Sequence, residues 1–96
     1  MAEQTWTLVA ETKEFVGPIN VTVDGTPTTN FEVAVTVGGG RPTTWVPADV
    51  IEGERGVLVG SATPFPLQQG QKYTIWTRFT DSPEIPVDRA GFIKVI

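Results

Sequence analysis

The chain has 96 residues, of which 40% are hydrophobic and 19% charged, and its formal net charge is −4. That length suits one domain, residues 1–96, with a single two-layered core, and 7 scattered basic residues in an acidic chain argue against a nucleic-acid partner. No apolar run approaches the roughly 18 residues of a membrane span, and Met1–Trp6 has neither the basic start nor the apolar stretch of a signal peptide.

β-Branched residues dominate: 13 Val, 14 Thr and 6 Ile stand against 3 Leu and 6 Ala. Branching at Cβ stiffens χ1 and suits a pleated surface, so the bias favours strands. The 10 Gly and 8 Pro punctuate the candidate strands. Alternation predicts the first strand over Thr5–Glu11, with Trp6, Leu8 and Ala10 on one face. The second covers Phe15–Val23 and is interrupted at Gly17-Pro18; a turn-rich connection, Asp24–Asn30, follows, in which Pro27 cannot donate to a ladder. Phe31, Val33, Val35 and Val37 mark the third strand, which ends at Gly38–Gly40. The fourth is Thr43–Val46, followed by a charged loop, Ala48–Arg55; Pro47–Glu52 is the one stretch that could form a helical turn. Gly56–Gly60, Lys72–Thr80 and Gly91–Ile96 complete the set.

A corner is expected before the sixth strand. Leu67 and Gly70 precede Tyr73 at the offsets of the tyrosine corner of immunoglobulin-like and fibronectin-like sandwiches, where the hydroxyl bonds backbone a few residues upstream. Leu67 would plug the core end, and Gly70 would supply a conformation that a side chain disfavours. The expected fold is therefore all-β: an immunoglobulin- or fibronectin-like antiparallel sandwich of about seven strands. Its core should include Phe31, Val33, Val35, Tyr73, Ile75 and Phe79.

Two absences limit the chemistry. With 0 Cys there is no thiolate nucleophile, thiolate metal site or disulfide, and with 0 His the commonest general base and metal ligand are missing. Paired-carboxylate hydrolysis needs a deep cleft, for which so small a domain has little room. The acidic sets Asp49, Glu52, Glu54 and Asp81, Glu84, Asp88 lack the alternating spacing of a calcium loop. Gly38–Gly40 with Arg41 lacks the remainder of a phosphate loop, and Asn20-Val21-Thr22, a formal glycosylation sequon, is expected to be a chance match because Met1–Trp6 does not read as a signal peptide. The chain is therefore expected not to be an enzyme and to need no metal or cofactor. Trp76 and Arg78 are out of phase with Tyr73 and Ile75, so they are expected to face outward, as residue types common at protein contacts. The alternative is an Arg78 stem that merely covers Trp76.

The run Tyr73–Val87 followed by Gly91 resembles a C-terminal pattern of small structural proteins from tailed phages of actinobacteria: an alternating strand with Trp, then Thr-Asp-x-Pro-Glu-x-Pro-Val and a Gly-led strand. Glu11–Phe15, Phe31–Val37, the Trp45 strand and Leu58–Gly60 fit the same pattern, while the short Gly-rich Val37–Thr44 and the Asp88-Arg89 order depart from it. The resemblance implies a virion component, assembled in the host cytoplasm, that decorates or stabilises a phage head and brings no catalytic residues. Its expected partners are the major capsid protein or other virion proteins, and further copies of the chain. The candidate contact residues are Trp76, Arg78, Pro83, Ile85, Pro86 and Val87, where the prolines limit the freedom of the Asp81–Ala90 connection before binding. The competing expectation for Ile85 and Val87 is that they cap the core end. The other functional expectation is a carbohydrate- or receptor-binding adhesion module of a tail or cell-surface assembly, whose sign would be a platform of exposed rings among Trp6, Trp45 and Trp76.

Overall fold

The computed structural model describes residues 4–23, 25–28, 30–79 and 85–96, and all regular structure among them is strand. The strands are β1 (Gln4–Leu8), β2 (Lys13–Val16), β3 (Val21–Val23), β4 (Thr26–Thr28) and β5 (Glu32–Val37), then β6 (Val46–Pro47), β7 (Asp49–Ile51), β8 (Glu54–Gly60), β9 (Lys72–Arg78) and β10 (Val87–Val95). One sheet has five strands in the order β1-β10-β9-β5-β6; a second has the order β2-β8-β7, and β3 and β4 form a hairpin. β1 runs parallel to β10, and the other pairings are antiparallel.

The two larger sheets share one core, an arrangement consistent with a β-sandwich. Leu8, Val33, Tyr73, Ile75, Ile93 and Val95 come from the first sheet; Val16, Val57 and Val59 come from the second. Period-2 alternation places them all inward, and each fully buried aliphatic side chain contributes about 1.5–3 kcal/mol. Of the residues expected in the core, Phe31, Val33, Tyr73 and Ile75 are buried, whereas Val35 and Phe79 only pack against its margin. Val35 lies toward the open end of β5, where Val37 is already exposed.

Several boundaries differ from those read in the sequence. The stretch Ala48–Arg55 holds no helical turn; it forms the β7–β8 hairpin, with Ile51 paired to Glu54. Glu52 and Gly53 both have positive φ (52° and 81°), as a two-residue hairpin turn requires. Thr26–Thr28, expected as turn, pairs with β3 despite Pro27, which an edge strand tolerates. The fourth strand is shorter and later than Thr43–Val46, and β10 starts at Val87 rather than Gly91, so Val87–Ala90 of the expected Asp81–Ala90 connection is strand.

The corner preceding β9 is closed by specific bonds. Tyr73 is buried, and its hydroxyl accepts the Gln68 N–H at 2.8 Å. Leu67 is buried beside it, and Gly70 adopts φ +81° while its N–H donates to the Val95 carbonyl at 3.0 Å. At the far end of β8, Gly60 adopts φ +100°, and a Cβ there would collide with the Thr12 carbonyl.

Tyr73→Phe is expected to cost about 1 kcal/mol through the lost hydrogen bond, lowering the melting temperature by roughly 4–8 °C. An unchanged melting curve would show that the hydroxyl pins nothing. Ile75→Ala should cost about 2–5 kcal/mol and more than Val35→Ala, because only the former leaves a cavity in the fully buried layer; equal losses in urea titrations would contradict that ordering. Gly60→Ala, which combines left-handed backbone with a backbone collision, should destabilise by more than 1 kcal/mol, whereas Gly39→Ala, with open space around it, should be near neutral.

Candidate protein-contact face

β9 lies between β5 and β10, so its outward residues define the middle of an open sheet face. Tyr73, Ile75 and Thr77 point to the core, while Lys72, Trp76 and Arg78 alternate to the other side together with Thr74, which is buried there. Trp76 stands opposite Ala34 on β5, whose small side chain leaves room for the indole. The indole N–H donates to Thr36 Oγ1 at 2.9 Å, and the Thr74 hydroxyl donates to the Gly38 carbonyl. Arg78 pairs across the strands with Glu32 at 2.8 Å, and its guanidinium lies 4.5 Å from the Trp45 ring centre. The guanidinium therefore lies over Trp45. Both partners of the ion pair are substantially exposed, so its value is about 0.2–1 kcal/mol; its effect is to hold a planar cation at a fixed place on the face.

A bulge brings β10 into the same face. Arg89 pairs with Trp76 but Gly91 pairs with Ile75, which leaves Ala90 as the extra residue. Counting back from the buried Ile93 without a bulge would turn Arg89 and Val87 inward; with it, both emerge beside Trp76 and Arg78. Beyond the bulge Phe92 and Lys94 also face outward, and the Phe92 ring lies 5.1 Å from the Lys72 ammonium and 5.9 Å from the Arg89 guanidinium.

The residues expected at a contact fall as follows. Trp76, Arg78 and Val87 share the face, with Ile85 and Pro86 exposed where the chain enters β10. Pro83 lies outside the described residues, as do Asp81 and Glu84. Ile85 is 56% and Val87 50% exposed, so neither caps the core. The Pro86 carbonyl accepts the Phe79 N–H at 3.4 Å, which closes that end of the β9–β10 pair. Trp45, Lys72, Arg89, Phe92 and Lys94 complete the face. Alternation back from Ile93 and Val95 marks Phe92 and Lys94, but no sequence signal marks the bulge that turns Arg89 outward.

Among the described residues, other parts of the molecule lack such convergence. Trp6 packs inward over Gly91 against the core, so the three tryptophans do not form one platform. A cleft of about 520 Å³ opens at the β1 side, where Trp6, Ile19, Thr77 and Phe79 are joined by one carboxylate, Asp88, among the described lining residues. Asp49 Oδ2 accepts the Leu58 N–H at 2.9 Å and so extends the β7–β8 pairing. Among the described residues, no three carboxylates gather to hold a metal ion. The chain matches no family model, no curated protein and no solved structure.

Trp76→Phe keeps the ring and removes the N–H, so it is expected to cost about 0.5–1.5 kcal/mol. Arg78→Ala should change stability by less than about 1 kcal/mol. A large loss for Arg78→Ala in thermal denaturation would mean that the guanidinium supports the fold and is not simply displayed by it.

Proposed function

We propose that this chain is a non-enzymatic structural protein of a tailed-phage virion, an immunoglobulin-like sandwich that decorates or stabilises the head through protein–protein contacts. The observation that carries the reading is the outer face of the five-stranded sheet, where Trp45, Arg78, Trp76 and Val87 are presented on a framework of paired strands. Tryptophan and arginine anchor protein contacts more often than other surface residues, and anchors fixed before binding lose less entropy when they dock. The exposed Ile85 and Val87 extend the same surface at the end where the chain enters β10, so the major capsid protein or another virion protein would seat there.

The strand order supports the immunoglobulin-like assignment. β2-β8-β7 corresponds to strands B-E-D, β10-β9-β5-β6 corresponds to G-F-C-C′, and β1 lies parallel to the last strand. The β3–β4 hairpin is an addition to that plan. A sugar-binding adhesion module would keep its ring faces open; here Arg78 occupies a face of Trp45, and Trp6 is turned to the core. Protein contact fits better.

Quantitative mass spectrometry of purified virions is expected to find the chain in a fixed ratio to the major capsid protein. Ile85→Ser with Val87→Asp should lower its incorporation about tenfold or more, with the melting temperature nearly unchanged. Virions that lack the wild-type chain would overturn the proposal.

A further inference from the structure

The other half of the candidate face has a different chemistry. Lys72 and Lys94 stand directly opposite each other on neighbouring strands, a like-charge pairing that costs stability within the molecule. Neither has a salt-bridge partner among the described residues. With Arg78 and Arg89 they place four of the chain's 7 basic residues on one sheet face of a protein with a net charge of −4. Glu32 is the one carboxylate facing the same way among the described strands, and it is engaged by Arg78. Phe92 lies between the two lysines and Arg89. The surface that would relieve this arrangement is flat, acidic and partly apolar.

The chain's own second sheet presents such a surface. Val16, Val57 and Val59 are fully buried, so Phe15 and Leu58, paired with each other and out of phase with them, face away from the core. Ile51 is paired with Glu54 on that outer side and is 40% exposed. Glu52 occupies the adjoining turn, and Asp49 lies in phase with Ile51 along the edge strand. Lys13 is the cation in phase with Phe15. The result is an apolar strip with an acidic margin.

We infer that a second copy of this chain docks on the basic half of the face, the outer side of its β2-β8-β7 sheet lying against Lys72, Phe92, Lys94 and Trp76. The inference rests on the reading of that sheet face as a contact surface, and not on what else the virion contains. Apolar residues meet apolar residues, and the acidic margin meets the lysine pair. Half of a five-stranded face places the contact at the small end of specific interfaces, below about 1,200 Å² in total. The dissociation constant in free solution is then expected on the order of 100 µM, strengthened by high effective concentration where copies are held side by side on a lattice. The contact joins two different surfaces, so each added copy leaves one of each exposed. It therefore builds a row, or a ring if the rotation closes.

The test is sedimentation velocity on the purified chain alone, with no virion present, over a concentration series. At low salt a progression from monomer to dimer and higher species is expected. It should collapse to monomer near 1 M salt, where screening acts within about 3 Å. Lys72→Glu with Lys94→Glu should abolish association, as should Glu52→Lys with Glu54→Lys on the other surface. Mixed in equal amounts, these two variants should associate again, because one unaltered pair of surfaces survives and the two reversed surfaces carry opposite charges. Ile51→Ser, which changes no charge, should weaken association, and its circular dichroism should match that of the wild type. A wild-type chain that stays monomeric at millimolar concentration in low salt overturns the inference. So does a charge-reversed variant that still associates, or a mixture that stays monomeric. A failure here leaves the presence of the chain in virions to be decided by its own measurement.

Discussion

The fold turns on the register of β9, which is hydrogen-bonded on both sides, to β5 and to β10. Its inward residues Tyr73, Ile75 and Thr77 meet Val33, Val35 and Ile93, while its outward residues meet Glu32, Ala34, Thr36 and Arg89. A slip of one residue would send Ile75 into solvent and Trp76 into the core, exchanging the two faces at once. The Tyr73 hydroxyl opposes such a slip because its bond to the Gln68 N–H fixes where β9 begins. Burial and surface chemistry therefore depend on a single alternation. One side of β9 anchors the core, and the other arranges the aromatic and cationic residues.

How far the chain discloses this arrangement depends on the range of the determining interaction. β9 and the middle of β5 are legible because Val, Ile, Tyr and Phe alternate within the strand itself, and the burial of Val33, Tyr73 and Ile75 follows from that pattern. The outward position of Trp76 and Arg78 follows from the same phase. Trp45 is another matter: its place beside Arg78, 33 residues on in sequence, depends on β6 and β9 both pairing with β5, which local pattern cannot encode. β7 is hidden because Asp49–Ile51 is too short to show a period and is surrounded by charged residues. β10 is half hidden because the bulge at Ala90 breaks its alternation, so that Val87 and Arg89 fall out of step with Ile93 and Val95.

The bulge also connects the local irregularity to the surface chemistry. A regular β10 would place the Arg89 side chain on the inner side of the sheet, away from Trp76. One inserted residue turns that group to solvent beside an aromatic ring, and the ladder resumes at Gly91. Gly91 in turn leaves the space that the Trp6 ring fills, so the irregular strand is sealed from the inside by an aromatic of β1. Packing on the inner side and display on the outer side are thus joined at adjacent residues.

The parallel pairing of β1 with β10 has a mechanical consequence. Because the strands run the same way, tension that enters the chain ahead of β1 and leaves it after β10 pulls them along their lengths in opposite directions. The pairs from Gln4–Gly91 to Leu8–Val95 then bear the load together, in shear, instead of opening one after another like a zip. An antiparallel pairing at this edge would peel. A domain built this way resists stretching through its flanks by the joint strength of one short ladder, and it yields abruptly once that ladder slides.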